Sequence, residues 1–291
     1  MQTDTIIQGR RLSAADLAQI QGLLAENPSW HRTQLSRELC ARWGWCNGVG
    51  RPKDMAARTL LLKLERRGWI ELPPRQGPSA NGRRNRRPAS IDCDERPLHG
   101  PLASLRPLRV DVAASGSPAA TLCQGLLQRY HYLGHRNGVG ENLKYLVRER
   151  QGRPVACLLF GSAAWCCQPR DAFIGWTSSQ RQQRLSLVTN NTRFLIVPWA
   201  KVPHLASHIL SLITARLSGD WQVKYGHPID LLETFVERDR FAGTCYRAGG
   251  WVPVGATTGR GRNGPNLAPQ GLVKEVYLRA LRADFRTRLC A

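Results

Sequence analysis

Residues 73–104 are so rich in proline, glycine and arginine that they cannot bury a core, and this break constrains the fold more than any other feature of the chain. Apolar residues must therefore close two separate cores, one before the break and one after it. With 291 residues there is enough chain for both. We read a first domain over 10–74, a basic linker over 75–104 and a second domain over 105–291. The linker's densest charge is GRRNRRP at 82–88, where Arg83, Arg84, Arg86 and Arg87 are placed to meet a phosphate backbone. A merely solvated spacer is the alternative.

The first domain opens with SAADLAQIQGLLAEN from Ser13 to Asn27, apolar at helical spacing behind a serine that can cap the first turn. Thr33 is placed to cap a second helix, TQLSRELCARWGW, with Leu35, Leu39 and Trp43 on one face. Pro52 suits the first position of a third helix, PKDMAARTLLLKLERRG, which turns Ala57, Leu60, Leu61 and Leu64 inward and leaves Lys53, Arg58 and Arg66 to solvent. The short apolar WIELPP that follows reads as a wing strand. This order predicts a winged helix-turn-helix domain with its third helix in the DNA major groove and Lys53, Arg58 and Arg66 as contacts. The same pattern also serves protein interaction, and phosphate contacts use the same residue types as base contacts.

Charge points the same way. Lys and Arg total 42 against 21 Asp and Glu, a formal charge of +21 spread along the chain. Such a chain gathers polyanions by salt-sensitive phosphate contacts, which makes DNA the expected partner; general basicity is the bland alternative. No apolar run reaches the roughly 18 residues of a membrane span, and no hydrophobic signal segment opens the chain. That predicts a cytoplasmic location and no membrane partner. The nine cysteines lack framework or CxxC spacing and read as reduced, mostly buried thiols. No Walker-type GKS or GKT follows a glycine-rich stretch, so any ATP-driven motor, such as a helicase, has to be a separate partner.

The second domain starts with LRPLRVDVA, an alternating run suited to a strand, and a helix from Pro118 to Tyr130. KYLVRER and PVACLLFGSA, joined through Gln151 and Gly152, read as a hairpin. RFLIVP is a buried strand, HLASHILSLITARLS a helix, LLETFVE a strand, FAGTCYRAGG a short helix and WVPVGAT a strand before the basic loop TGRGRNG. KEVYLRAL is one more strand or helix edge. The order predicts a layered α/β (α+β) domain with a mixed sheet.

YHYLGHRNGVGENLKYLV, CLLFGSAAW, DAFIGWT, NNTRFLIVPW, YGHPIDLLETFVE, GTCYRAGGWVPVGATTGRGR and LRADFR, in this order over 105–291, resemble the Druantia anti-phage system A protein family. The resemblance implies a prokaryotic anti-phage defence role on DNA, beside a helicase and other defence proteins. Related proteins accompany mobile elements, which implies a DNA-processing enzyme of such an element as the alternative. A second resemblance is to the fold of GNAT-type acyltransferases. Strand RFLIV, helix HLASHILSLI, strand LLETFVE, helix GTCYRAGG and strand WVPVG are similar to that fold's cofactor half. It implies coenzyme A and acyl transfer as a third reading. Where that fold has a glycine-rich pyrophosphate loop, however, this chain has PWAKVPHLAS, with no glycine and two prolines that cannot donate, which speaks against coenzyme A.

Glu233 stands mid-strand in LLETFVE, where a carboxylate is expensive to bury unless paired or used, and it is the first catalytic candidate. An outward-facing residue on alternation is the other reading. Asp171 in PRDAFIGW could join it as a carboxylate pair holding a divalent metal for phosphoryl transfer, against ordinary pairing with Arg170 or another arginine. Tyr246 in GTCYRAGGW is a candidate proton donor or nucleophile, against simple packing at a helix start; Cys245 beside it has no adjacent histidine to activate it. His204 and His208, and likewise His131 and His135, share a four-residue spacing that metal ligands use, with no HExxH glutamate between them. In TTGRGRNG, Arg260 and Arg262 supply forked donors beside glycines that let the backbone approach an anion; flexible solvated charge is the alternative.

Overall fold

The computed structural model of the chain describes residues 5–47, 50–75, 93–136, 138, 140–259 and 272–291. It divides into two compact units, Met1–Arg83 and Arg84–Ala291.

In the first unit a short antiparallel hairpin, β1 (Thr5–Ile7) and β2 (Arg10–Leu12), leads into three helices. α1 (Ala14–Glu26) starts where Ser13 accepts the Asp16 N–H and Asp16 accepts the Ser13 N–H, a reciprocal cap that satisfies two orphan donors. α2 (Arg32–Arg42) begins one residue ahead of the expected cap Thr33, because the His31 ring accepts the Gln34 N–H at 3.2 Å. α3 (Asp54–Arg66) begins after Pro52, which pairs with Cys46 in an isolated bridge. Ile20, Leu23, Leu35, Leu39, Leu60, Leu61 and Leu64 close the core.

The expected wing strand is absent among the described residues. Residues 69–73 run without a β partner: Gln21 donates to the Trp69 carbonyl at 3.0 Å and Arg32 to the Pro73 carbonyl at 2.7 Å, while Ile70 and Leu72 bury against the helices. Side chains take the acceptors that a second strand would have used.

The second unit takes in more of the basic segment than its composition suggests. The Leu98 N–H donates to Trp199 O at 2.8 Å, the Lys201 N–H donates to Leu98 O at 3.0 Å, and Leu105 in the 3-10 turn Leu102–Leu105 is buried. Apolar residues scattered among the prolines and arginines carry this stretch onto the body of the unit. A mixed sheet of seven strands among the described residues follows the order β3-β4-β5-β6-β7-β9-β8. Its strands are β3 (Arg109–Val112), β4 (Asn142–Arg148), β5 (Pro154–Ser162), β6 (Val188–Ile196), β7 (Leu231–Glu237), β8 (Val252–Ala256) and β9 (Lys274–Ala280). β5, PVACLLFGS, is buried through eight consecutive residues because helices cover both faces. α4 (Pro118–Tyr130) covers one face, where Cys123 meets Cys157, and α7 (Leu205–Tyr225) covers the other, where Asp220 accepts from Tyr145 at 2.9 Å; Cys123, Leu126, Ile209, Ile213 and Leu217 pack into the main core. On the same face as α4, α5 (Gln168–Ile174) and α9 (Phe285–Leu289) bury Ile174, Phe285 and Leu289 against Leu231, Val276 and Leu278, beside α6 (Ser178–Arg184). KEVYLRAL is resolved as strand β9. β6 begins six residues before Phe194, since VTNN joins RFLI in one strand. The short helix of GTCYRAGG is α8 (Thr244–Ala248).

Candidate functional site

β6 and β7 run parallel but pair only at Val188–Leu231, Thr189–Leu232 and Asn190–Glu233. Beyond that point they part, β6 staying with β5 and β7 with β9. The opening holds a cavity of about 940 Å³. Its walls are β6 from Asn190 to Ile196, β7 from Thr234 to Val236, the chain leaving α4 at Tyr130–Leu133, and the segment from Phe241 to Tyr246. Pairing of β5 with β6 passes from Leu159–Arg193 to Phe160–Asn191, so Thr192 is the extra residue of a β-bulge in this wall. Thr192 Oγ1 donates to Leu159 O at 3.1 Å and holds the bulge in place.

Arg136, Arg193, Arg240 and Lys274 line the cavity, and no Asp or Glu does among the described residues. None of these four cations has a carboxylate partner among the described residues. Elsewhere in the unit arginines are paired: Arg153 with Asp94 at 3.1 Å, Arg216 with Asp220 at 2.7 Å and Arg288 with Asp230 at 2.8 Å. Arg193 is half-buried, anchored to Gly134 O at 2.9 Å and Thr192 O at 2.6 Å. Burial, and then the like charge of Arg136, lower its pKa. Burial, followed by Arg193 and Arg240, pushes the His131 imidazole down to about 4. At pH 7 that ring is neutral, and because its Nδ1 accepts the Leu133 N–H at 3.1 Å its proton sits on Nε2. At the rim Tyr132 and Phe241 are 37% and 48% exposed with ring centroids 5.4 Å apart, and the Arg240 guanidinium lies 4.7 Å over the Tyr132 ring.

Tyr246, in α8, lines the inner wall. It is buried, stacks on Tyr277 and donates its hydroxyl proton to Asn191 Oδ1 at 2.8 Å. Burial raises its pKa well above the ordinary phenol value, so the group keeps its proton at neutral pH and points it at Asn191 Oδ1. Cys245, which also lines the cavity, has its thiol pushed up by burial.

Glu233 and Asp171 are brought together on one guanidinium. Arg170, fully buried in α5, donates Nη1 to Glu233 Oε2 at 2.8 Å and to Ala164 O at 2.7 Å, and Nε and Nη2 to Asp171 Oδ1 at 2.9 and 2.8 Å. The other Glu233 oxygen accepts the Ala164 N–H at 2.7 Å. Asp171 also accepts from Trp176 Nε1 at 3.0 Å, the Cys167 N–H at 3.2 Å and Arg181 Nη1 at 3.2 Å. Burial raises the Glu233 carboxyl, with Arg170 and the Ala164 N–H pulling against it. Every carboxylate oxygen here has a protein donor, which is how a buried ionic network is satisfied. Neither residue lines the cavity.

The remaining candidates are dispersed. In the first unit Arg66 is exposed; Arg58 is bound to Asp54 at 3.0 Å and Ser36 at 3.4 Å; Lys53 is half-buried, its ammonium pKa lowered by burial. His204 caps α7 at φ 63°, and His208 lies 3.4 Å from Arg106. His131 and His135 follow the end of α4 and do not share a helix face. No group of three or more His, Cys, Asp or Glu among the described residues is placed to hold a metal ion. Arg83, Arg84, Arg86, Arg87, Arg260 and Arg262 lie outside the described residues. No helix among the described residues is long and apolar enough to cross a membrane.

A family model described as Druantia protein DruA matches residues 64–264, from the end of α3 through the splayed strands and past β8. The chain belongs to the DruA family. No curated protein matches it in sequence. Among solved structures, this DruA-family chain is similar to the spermidine/spermine N-acetyltransferase SpeG from Vibrio cholerae, with 8% identity over 62% of this chain and 96% of that one and a TM-score of 0.39. It is also similar to a putative phosphinothricin N-acetyltransferase, with 11% identity over 60% of this chain and 99% of that one and a TM-score of 0.38.

In the turn after β6 of this DruA-family chain, several N–H groups are missing or already used. Pro198 and Pro203 have no N–H, and the N–H groups of Ala200, Lys201 and Leu205 donate to Val197, Leu98 and Val202 carbonyls at 3.0, 3.0 and 3.3 Å. Sequence reading missed the cavity's own residues, Arg136, Arg193, Arg240 and Lys274 among them. The one local signal was arginine beside aromatics in HYLGHR and ERDRF, a pattern that solvated surface also shows.

Proposed function

We propose that this DruA-family protein is a DNA-binding component of an anti-phage defence system whose second unit grips the anionic backbone of DNA at the cavity between β6 and β7. One observation carries this reading: Arg136, Arg193, Arg240 and Lys274 face one opening, and no carboxylate lines it among the described residues. Like charges gathered in a partly desolvated wall disfavour one another, and an anion relieves that repulsion. The overall charge of +21 concentrates polyanions around the protein. In this reading Arg66, Arg58 and Lys53 of the first unit, the linker arginines Arg83, Arg84, Arg86 and Arg87, and Arg260 and Arg262 extend the contact. The defence setting follows from family membership, and a helicase and other proteins of the system act beside it. A wall of cations without carboxylates favours holding a phosphate backbone over metal-dependent cutting.

The test is anisotropy of labelled DNA with purified protein between about 50 and about 200 mM salt. Four neutralised phosphates predict a loss of affinity of roughly 100-fold across that range. Arg193→Glu with Arg240→Glu should weaken binding further at the lower salt. Absence of binding by the parent at low salt overturns the reading. In infected cells, deleting the gene from its system should restore plaque formation, and unchanged protection would remove the defence assignment.

A further inference from the structure

We infer that the cavity mouth is built for an unpaired DNA strand, with a base stacked on the Tyr132–Phe241 pair and the flanking phosphates on Arg136, Arg193 and Arg240. This rests on the nucleic-acid reading above and adds the form of DNA and the groups that select it.

Size excludes the double helix from the interior. A cube of 940 Å³ is just under about 10 Å on a side, less than the roughly 16 Å that the depths of the two grooves span across a duplex, so only a strand or its bases can enter. The rim carries the means to hold one. Tyr132 and Phe241 are 37% and 48% exposed with ring centroids 5.4 Å apart, Tyr132 is backed by the stacked His131 ring at 4.9 Å, and the two come from separate segments that the fold brings to one edge. Exposed aromatics beside unpaired cations form the stacking platform and electrostatic track of single-strand binding, because every unpaired base offers a π-face while a paired base has both faces covered. Arg240, 4.7 Å over Tyr132, keeps a cation on the platform itself.

A second observation lies deeper. Asn190 lines the same cavity, is 7% exposed, and its Oδ1 is buried with no hydrogen-bond partner among the described residues. An acceptor left unpaired in a protein wall is unfavourable, and a carboxamide is suited to meet the N–H of a base edge. Neither the platform nor this acceptor has a use in gripping phosphate alone.

The experiment compares a labelled single strand, the duplex of the same sequence and the matching RNA by anisotropy, for the parent, Tyr132→Ala/Phe241→Ala and Tyr132→Phe. The parent should prefer the single DNA strand. The double variant should lose roughly tenfold or more on the single strand and less than about twofold on the duplex, while Tyr132→Phe binds as the parent does, since stacking needs the ring and not the hydroxyl. Both aromatic positions are exposed, and a thermal melt matching the parent's shows that the variants fold. If the parent binds neither form, the nucleic-acid reading itself fails. If it binds both equally, or if the double variant loses equally on both or on neither, the reading of a phosphate grip stands and this inference falls. Tighter binding of RNA than of DNA overturns the assignment to DNA.

Discussion

Replacing Glu233 by Gln tests whether the carboxylate in the middle of β7 is structural or reactive. Arg170 has no exposure, and its Nη1 is shared between Glu233 Oε2 at 2.8 Å and Ala164 O at 2.7 Å. The amide of Gln must turn an NH₂ either toward Arg170 or toward the Ala164 N–H, so one donor faces a donor in either orientation. One compensating charge is also lost, worth about 4 kcal/mol for a 4 Å separation at an effective dielectric of 20. Breaking a buried pair from one side typically costs about 3–5 kcal/mol. Asp171 still holds Nε and Nη2 at 2.9 and 2.8 Å, which places the expected loss toward the lower end, about 3 kcal/mol. For a unit of this size that corresponds to a melting temperature lowered by roughly 6–12 °C. Guanidinium unfolding followed by tryptophan fluorescence measures it, since Trp176 donates to Asp171 within the same network. DNA affinity of the folded variant should stay within about twofold of the parent's, because Glu233 does not line the cavity. A variant with the parent's stability that has lost a DNA-processing activity would refute this reasoning and return Glu233 to catalysis.

Acidification should weaken the second unit through His131 and His135. Burial holds both imidazoles at about 4, below the ordinary 6.5, so the unfolded chain binds more protons than the folded one between those values. Stability is therefore fully present above pH of about 6.5 and falls as the pH drops toward about 4, a slope that melts across this window detect and that His131→Gln with His135→Gln should flatten. Gly243→Ala should lower stability by roughly 1–3 kcal/mol, because Gly243 caps α8 at φ +69° and an added Cβ would overlap the Tyr277 hydroxyl. Denaturant unfolding checks it, and a variant as stable as the parent would mean that Tyr277 moves freely. Leu60→Ala, at a fully buried site of the first unit, should cost about 2–5 kcal/mol and shift that unit's unfolding while leaving binding at the cavity intact. Hydrogen exchange resolved by segment would show loss of protection in α1–α3 alone.

Much of the fold was legible because its signals are local. The Ser13 cap, the inward Ala57, Leu60, Leu61 and Leu64 of α3, the β4–β5 hairpin across Gly152 and the apolar run of LLETFVE each depend on neighbours within a few residues. The wing strand failed on a non-local point: WIELPP has a strand's composition, but Gln21 and Arg32 reach its carbonyls first. Asn190 was hidden for a similar reason, since the expected strand starts at Arg193 and Asn190 joins it only once β5 and β7 are placed on either side. For Glu233 the composition of β7 raised the question and Arg170 answers it, from a helix 63 residues away in sequence.

From its residues alone the chain is a strongly basic protein with two cores separated by a proline- and arginine-rich break, the second a layered mixed sheet. Composition and periodicity suffice for that, because charge adds up along a chain and amphipathic spacing is read within one element. Where the charge acts is another matter. Arg136 follows α4, Arg193 sits on β6, Arg240 follows β7 and Lys274 opens β9, and they meet only because β6 and β7 stop pairing after Asn190–Glu233 and leave an opening that these segments surround. Nothing in the spacing of these residues marks them, since a site assembled across a splayed sheet is set by strand order and register, which are long-range properties of the tertiary structure.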